Sequence, residues 1–185
     1  MDNQEIENEV LTFWFGDDPE EKRAAWFEKD AAFDTEIVER FASAYEAAAS
    51  GALDGMASTP LGCLALVIIL DQFPRNMFRN DPRSFATDDK ALGLSKDALS
   101  KGFDQALNEN QRAFLCMPFM HSEGLADQQR SVELFATISE QNLDYARQHL
   151  VIVERFGRFP HRNAVLGRRS TDEEIAFLNE PNSSF

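Results

Sequence analysis

Apolar residues along this chain recur three and four positions apart, as helices require, and almost nowhere alternate as strands do. In EIENEVLTFWF, Ile6, Val10, Phe13 and Trp14 share one face behind an acidic first turn. In DDPEEKRAAWFEKD, Pro19 stands where a first helical residue is expected, with Asp18 as N-cap, so a helix is predicted over 17–30. Residues 34–50 carry Ile37, Phe41, Ala44, Tyr45 and Ala48 on one stripe and stop at Gly51. TPLGCLALVIILD starts at a Thr-Pro N-terminus and is apolar around its whole circumference. A helix without a polar face must be buried on all sides, so this segment is expected at the centre of the fold.

Further helices are predicted over 84–101, ending at Gly102, and over 108–116, stopped near Pro118. Residues 127–139 place Val132, Phe135 and Ile138 on a face. Residues 142–156 carry Leu143, Ala146, Leu150 and Val153 on one stripe, with Tyr145, Ile152 and Phe156 beside it. Thr171 with Glu174 forms a capping-box signature for a last helix. The expectation is an all-α fold, one domain over 1–185, built from antiparallel helical hairpins stacked in chain order.

Composition narrows the class. A chain of 185 residues that is 43% hydrophobic can bury a core and is too apolar to be disordered. The longest apolar run, 61–70, falls short of the roughly 20 residues that cross a bilayer. The stretch before residue 10 is acidic and lacks the apolar centre of a secretory leader. Cys63 and Cys116 lie in apolar surroundings without metal or redox spacing, and read as buried thiols of a cytoplasmic protein.

Charge is distributed unevenly. Residues 1–60 hold 15 Asp or Glu against 4 Lys or Arg, so most of the net −14 sits in the first third. That acidity argues against a nucleic-acid or anionic-membrane partner. Yet two phrases, DQFPRNMFR at 71–79 and RFGRFPHRNAVLGR at 155–168, gather arginines around Phe-Pro. The second, extended to Arg169, holds five arginines and His161 without one acid. Docking of the acidic first third would neutralise it; alternatively, some of these guanidinium groups converge on a phosphate or carboxylate.

Candidate chemistry follows from these phrases. Asp71 ends the most apolar helix, where the macrodipole disfavours a carboxylate, so it should be paired with Arg75, Arg79 or an arginine of the second phrase. Such a pair is either a structural lock or an orienting carboxylate behind a ligand-binding arginine. Catalytic candidates are His121, His161, Asp71 and Glu123; His121 and Glu123 stand two apart in PFMHSE, where Ser122 and Glu123 equally suit a helix start. Ligand-binding candidates are Arg75, Asn76, Arg79, Arg158, Arg162 and Asn163. His149 sits on an apolar helical flank and reads as a core residue. No histidine has metal-ligand spacing, no nucleotide or hydrolase motif occurs, and no metal or cofactor is expected.

The segments VLTFWFG, LALVIILDQFPRN, PFMHSE, RFGRFPHRNAVLGR and STDEEIAFL, in this order, resemble the bacterial domain of unknown function 924 family. Met56 and Cys116 stand where that family carries Trp and Tyr, apolar for apolar. The resemblance implies an all-helical, tetratricopeptide-like arrangement and carries over no functional residue. Two functions stay open: a pocket for a small anionic ligand, enzymatic or not, and a tetratricopeptide-like module that binds a peptide or protein. Oligomeric state is open as well.

Overall fold

The structure, a computed structural model, describes residues 2–26, 28–181 and 183. Among them there is no strand, and the all-α expectation holds. The helices are α1 (Asn3–Phe15), α2 (Ala31–Ser50), α3 (Pro60–Val67), α4 (Phe73–Met77), α5 (Asp88–Ser100), α6 (Glu109–His121), α7 (Leu125–Phe135), α8 (Glu140–Phe156) and α9 (Asp172–Phe177). Successive helices α5 to α8 pack pairwise as hairpins, while α2 lies against α4 and α1 against α3. No described helix is long and apolar enough to cross a membrane.

The all-round apolar segment sits where its composition requires. From Gly62 to Phe73 every residue is buried, and α3 touches α1, α5 and α6. Burying each Leu, Ile or Phe fully contributes about 1.5–3 kcal/mol. Aromatic rings close the core beside it: Phe41 stacks on Phe73 with centroids 4.7 Å apart, and Trp14 meets Phe114 edge-on at 5.4 Å. Thr59 caps α3 through the Gly62 amide, at 3.1 Å, with Pro60 in the first turn.

Between α3 and α4 the helix does not break; it widens into a π turn, Ile68–Gln72. Pro74 supplies the reason. It has no N–H for the Leu70 carbonyl, which takes the Thr87 hydroxyl instead, at 2.6 Å. The Phe73 amide reaches back to the Ile68 carbonyl, five residues away. The first Phe-Pro-Arg-Asn phrase is therefore helical rather than a loop, and π turns recur where helices carry function.

Several boundaries differ from the sequence expectation: α2 starts at Ala31 rather than 34, α7 ends at Phe135 rather than 139, and three larger differences bear on the site. The helix over 17–30 does not form: only a 3-10 turn, Ala24–Trp26, appears, and Phe27 lies outside the described residues. Side chains of this segment cap α1 instead. Arg23 donates to the Phe13 and Trp14 carbonyls at 2.6 and 2.9 Å, and the Trp26 indole N–H donates to the Trp14 carbonyl at 2.8 Å. These tertiary bonds override helix propensity, and Asp30 rather than Asp18 caps the following helix.

Pro118 does not stop α6, which runs on to His121, because Pro118, Phe119 and Met120 are all buried. The predicted 84–101 helix divides into a 3-10 turn, Pro82–Phe85, and α5, which starts at Asp88. The hydroxyls of Ser84 and Thr87 bond carbonyls of the preceding helical segment across that division. The Thr171 capping box forms as expected, and both cysteines are free and buried.

Gly62 gives a direct test of the central packing. A Cβ there would overlap the Met56 carbonyl oxygen. Gly62→Ala is expected to lower the unfolding free energy by about 1–3 kcal/mol, read as a reduced urea midpoint at unchanged slope. An unchanged midpoint would show that the contact yields freely.

Candidate functional site

Three of the local features just described converge. The π turn holds Asp71, the extension of α6 past Pro118 ends on His121, and the late start of α5 puts Asp88 in its first turn. The Asp71 carboxylate is fully buried and accepts from His121 Nδ1 at 2.8 and 2.9 Å through its two oxygens. Gln72 donates to the same carboxylate, and Arg75 Nη1 lies 3.3 Å from it. Arg75 also forks onto Asp88 with two bonds of 3.0 Å and donates to the Asp71 carbonyl.

The second arginine phrase wraps onto this cluster. Glu123 anchors it by accepting the Phe159 amide at 2.8 Å and a two-pronged bond from Arg168 at 2.6 and 2.9 Å. Arg162, 7% exposed, then points inward between the Phe85 and Phe159 rings, its guanidinium carbon 4.6 Å from each centroid. It donates to the His121 carbonyl at 3.0 Å. Buried Gln128 donates to the Met120 and Ser122 carbonyls at 2.6 Å each. Between them these two side chains satisfy the C-terminal end of α6 and hold His121 in place.

These groups wall a cavity of about 380 Å³ lined by Arg75, Phe85, His121, His149, His161 and Arg162, with exposed Lys29 and Arg79 alongside. Among the described residues no Asp or Glu lines it. Five of its residues, Lys29, Arg75, Arg79, His121 and His149, also line a second lobe of about 380 Å³ that adds Trp26, Met117, Met120 and Tyr145 together with the polar Glu28, Gln72, Asn76 and Asn142. The two lobes thus form one cleft, cationic in the first lobe and mixed in the second, where an aromatic and methionine patch adjoins polar side chains.

Burial sets the protonation of the imidazoles. It pushes His149 down to about 3, its Nδ1 bonded to the Tyr145 carbonyl at 2.8 Å. Burial, with Arg162 beside it, brings His161 to about 4. Burial and Arg75 lower His121 against the pull of Asp71. A neutral His121 bonded to a carboxylate carries its proton on Nδ1, which leaves Nε2 as a lone-pair base. Burial alone would raise Asp71; the Arg75 charge and the hydrogen bonds from His121 and Gln72 outweigh it and hold the carboxyl well below its usual range. Arg162 is brought down to about 10 by burial and by Arg75, so its positive charge is incompletely answered.

Of the residues singled out by sequence, Arg75, Arg79, His121, His161 and Arg162 line the first lobe, Asn76 lines the second, and Asp71 backs His121. Glu123, Arg158 and Asn163 lie outside the cleft walls. Arg158 pairs with Glu174 at 2.6 Å, and Asn163 bonds Ser170, Arg168 and Glu174. Glu123 is therefore no partner of His121; Asp71, fifty residues earlier, is. The arginines of the second phrase pair with Asp88, Glu123, Glu173 and Glu174, not with the acidic first third as expected. Among the described residues that third answers the first phrase, where Asp34 holds Arg79 and Asn76.

Sequence reasoning missed Asp88, Phe85 and Lys29, and placed His149 in the core. His149 is indeed 5% exposed, yet it lines both lobes. Asp88 had no local signal, since its partners lie 13 and 74 residues away.

Breaking the Asp71 cluster should be expensive. Asp71→Asn is expected to cost about 3–5 kcal/mol of stability, because it leaves buried cationic partners without their counter-charge; a loss under about 1 kcal/mol would place the fold's anchor elsewhere. Acid should act earlier than ordinary carboxylate protonation. The unfolded chain binds protons at its histidines near pH 6.5, whereas folded His149 and His161 resist to about 3 and 4. Stability therefore falls as pH drops below about 6.5, by up to about 1.4 kcal/mol per pH unit for each histidine. Urea midpoints at pH 7.5, 6 and 5 measure this, and a flat profile would contradict the buried, neutral imidazoles.

Comparison with known proteins agrees with the resemblance. No curated protein matches the chain. A solved structure of a protein of unknown function from Agrobacterium tumefaciens is 42% identical, with a TM-score of 0.90 over 96% of this chain and 99% of that one. A family model described as "Bacterial protein of unknown function (DUF924)" matches residues 10–182. With nearly its whole length matched, the chain belongs to the DUF924 family.

Proposed function

We propose that the cationic lobe binds a small carboxylate or phosphate, and that the Asp71–His121 pair makes it a site of proton transfer. The observation that carries this reading is the condition of Arg162. Its one ion pair, to Asp88 at 3.4 Å, uses a carboxylate already forked by Arg75 at 3.0 Å. Its Nε finds no hydrogen-bond partner among the described residues, and its faces are covered by Phe85 and Phe159. Burying a guanidinium with a donor unanswered carries a desolvation penalty that an anion in the cavity would relieve. Planar forks of this kind recognise carboxylate and phosphate oxygens. Lys29, which makes no ion pair among the described residues, adds attraction at the exposed side.

The proton-transfer part rests on geometry. A buried carboxylate that fixes an imidazole through Nδ1 is the arrangement that orients a general base, and His121 lines the cavity with Nε2 as its remaining nitrogen. The alternative, a peptide groove, required exposed arginines; in this fold Arg155, Arg158 and Arg168 are engaged by Glu173, Glu174 and Glu123. No observation favours that alternative.

Inorganic phosphate and acetate titrated against thermal unfolding test the binding. A ligand at a hundred times its Kd should add about 2.7 kcal/mol of stability. Arg162→Gln should weaken binding at least tenfold, about 1.4 kcal/mol, and exposed Lys29→Gln severalfold without loss of fold. Stabilisation by neither anion in the unmodified protein would overturn the proposal.

A further inference from the structure

We infer that the ligand is an aromatic carboxylate or phosphate, its anionic head in the cationic lobe and its ring in the adjoining lobe against Trp26, Met117, Met120 and Tyr145. This rests on the anion reading above and extends it to the class of molecule.

The second lobe has the features of a ring-binding wall. Trp26 is fixed: its indole N–H donates to the Trp14 carbonyl at 2.8 Å, and its ring meets Phe15 and Phe114 edge-on at 5.8 and 4.9 Å. A pre-set aromatic surface loses little freedom when a second ring packs on it. Met117 and Met120 supply adaptable, polarisable thioethers, which make favourable contacts with ring edges. Tyr145 is 43% exposed, a large aromatic left at the open side of the lobe. A smaller hollow of about 130 Å³ adjoins it, sharing Trp26, Met117, Tyr145 and Asn142 and adding Phe114 and Ala113 beside the polar Lys22, Asn110 and Gln141.

The join between the lobes is equally specific. His121 and Arg75 line both. Gln72 spans them chemically, donating to the Asp71 carboxylate and to the Met117 sulfur at 3.4 Å. A ligand occupying both lobes would thus lay the bond between head and ring beside the only nitrogen of His121 not committed to Asp71. A bare phosphate or acetate would fill one lobe and leave the apolar wall hydrated, forgoing the gain from its burial.

Isothermal titration of the intact protein with phosphate, phenyl phosphate, acetate, benzoate, hexanoate and benzyl alcohol tests this. Phenyl phosphate should bind at least tenfold tighter than phosphate, and benzoate at least tenfold tighter than acetate and tighter than hexanoate. Tyr145→Ala, at an exposed position, and Met117→Gln should each remove most of that gain while leaving the affinity for phosphate unchanged. If phosphate binds and phenyl phosphate binds no tighter, the inference is overturned and the anion site stands. Hexanoate equal to benzoate overturns the aromatic assignment, and benzyl alcohol equal to phenyl phosphate overturns the need for an anionic head. If no compound binds, both readings fall.

Discussion

A fully buried carboxylate organises this molecule. Asp71 cannot stay ionised inside the core without positive and hydrogen-bonding partners, and satisfying it draws in His121 from the end of α6 and Arg75 from α4. Arg75 brings Asp88 with it, and Asp88 in turn reaches Arg162 on the second arginine phrase. The chain's middle and its C-terminal part are thereby tied through alternating charges, from the fully buried Asp71 out to the cavity wall. Each member of the relay has a structural role, and the last cation, Arg162, lines the cavity.

The backbone was legible wherever one local rule acted alone. The all-round apolar 61–70 run named the centre, Gly51 and the Thr171 box marked helix ends, and the hydrophobic stripes located α2 and α8. It was misleading where side chains reached across the fold. Pro118 reads as a stop, yet its buried neighbours carry the helix onward and so deliver His121. Residues 17–30 read as a helix, yet Arg23 and Trp26 are spent on the carbonyl end of α1.

The site was half legible for the same reason. Residue types unusual in an acidic chain pointed to Asp71, Arg75, His121, His161 and Arg162, and the fold gathers all five. Their pairings were not legible. Asp71 meets a histidine fifty positions away, and the nearby Glu123 is diverted to hold the Phe159 loop. Arg158, alike in type to Arg162, and Asn163 beside it face Glu174 instead. Arg158 lies in the bend after α8 and Arg162 ends the 3-10 turn Pro160–Arg162, so the path of a short connection decides which arginine faces inward, and composition carries no record of that.

Only three histidines occur in the chain, and all three wall one cavity. The imidazole signals of this protein consequently form a complete and exclusive reporter of the cleft. Isotope labelling at histidine alone would yield a spectrum without background from the rest of the fold, with one ring keyed to Asp71, one to the Tyr145 carbonyl and one beside Phe159.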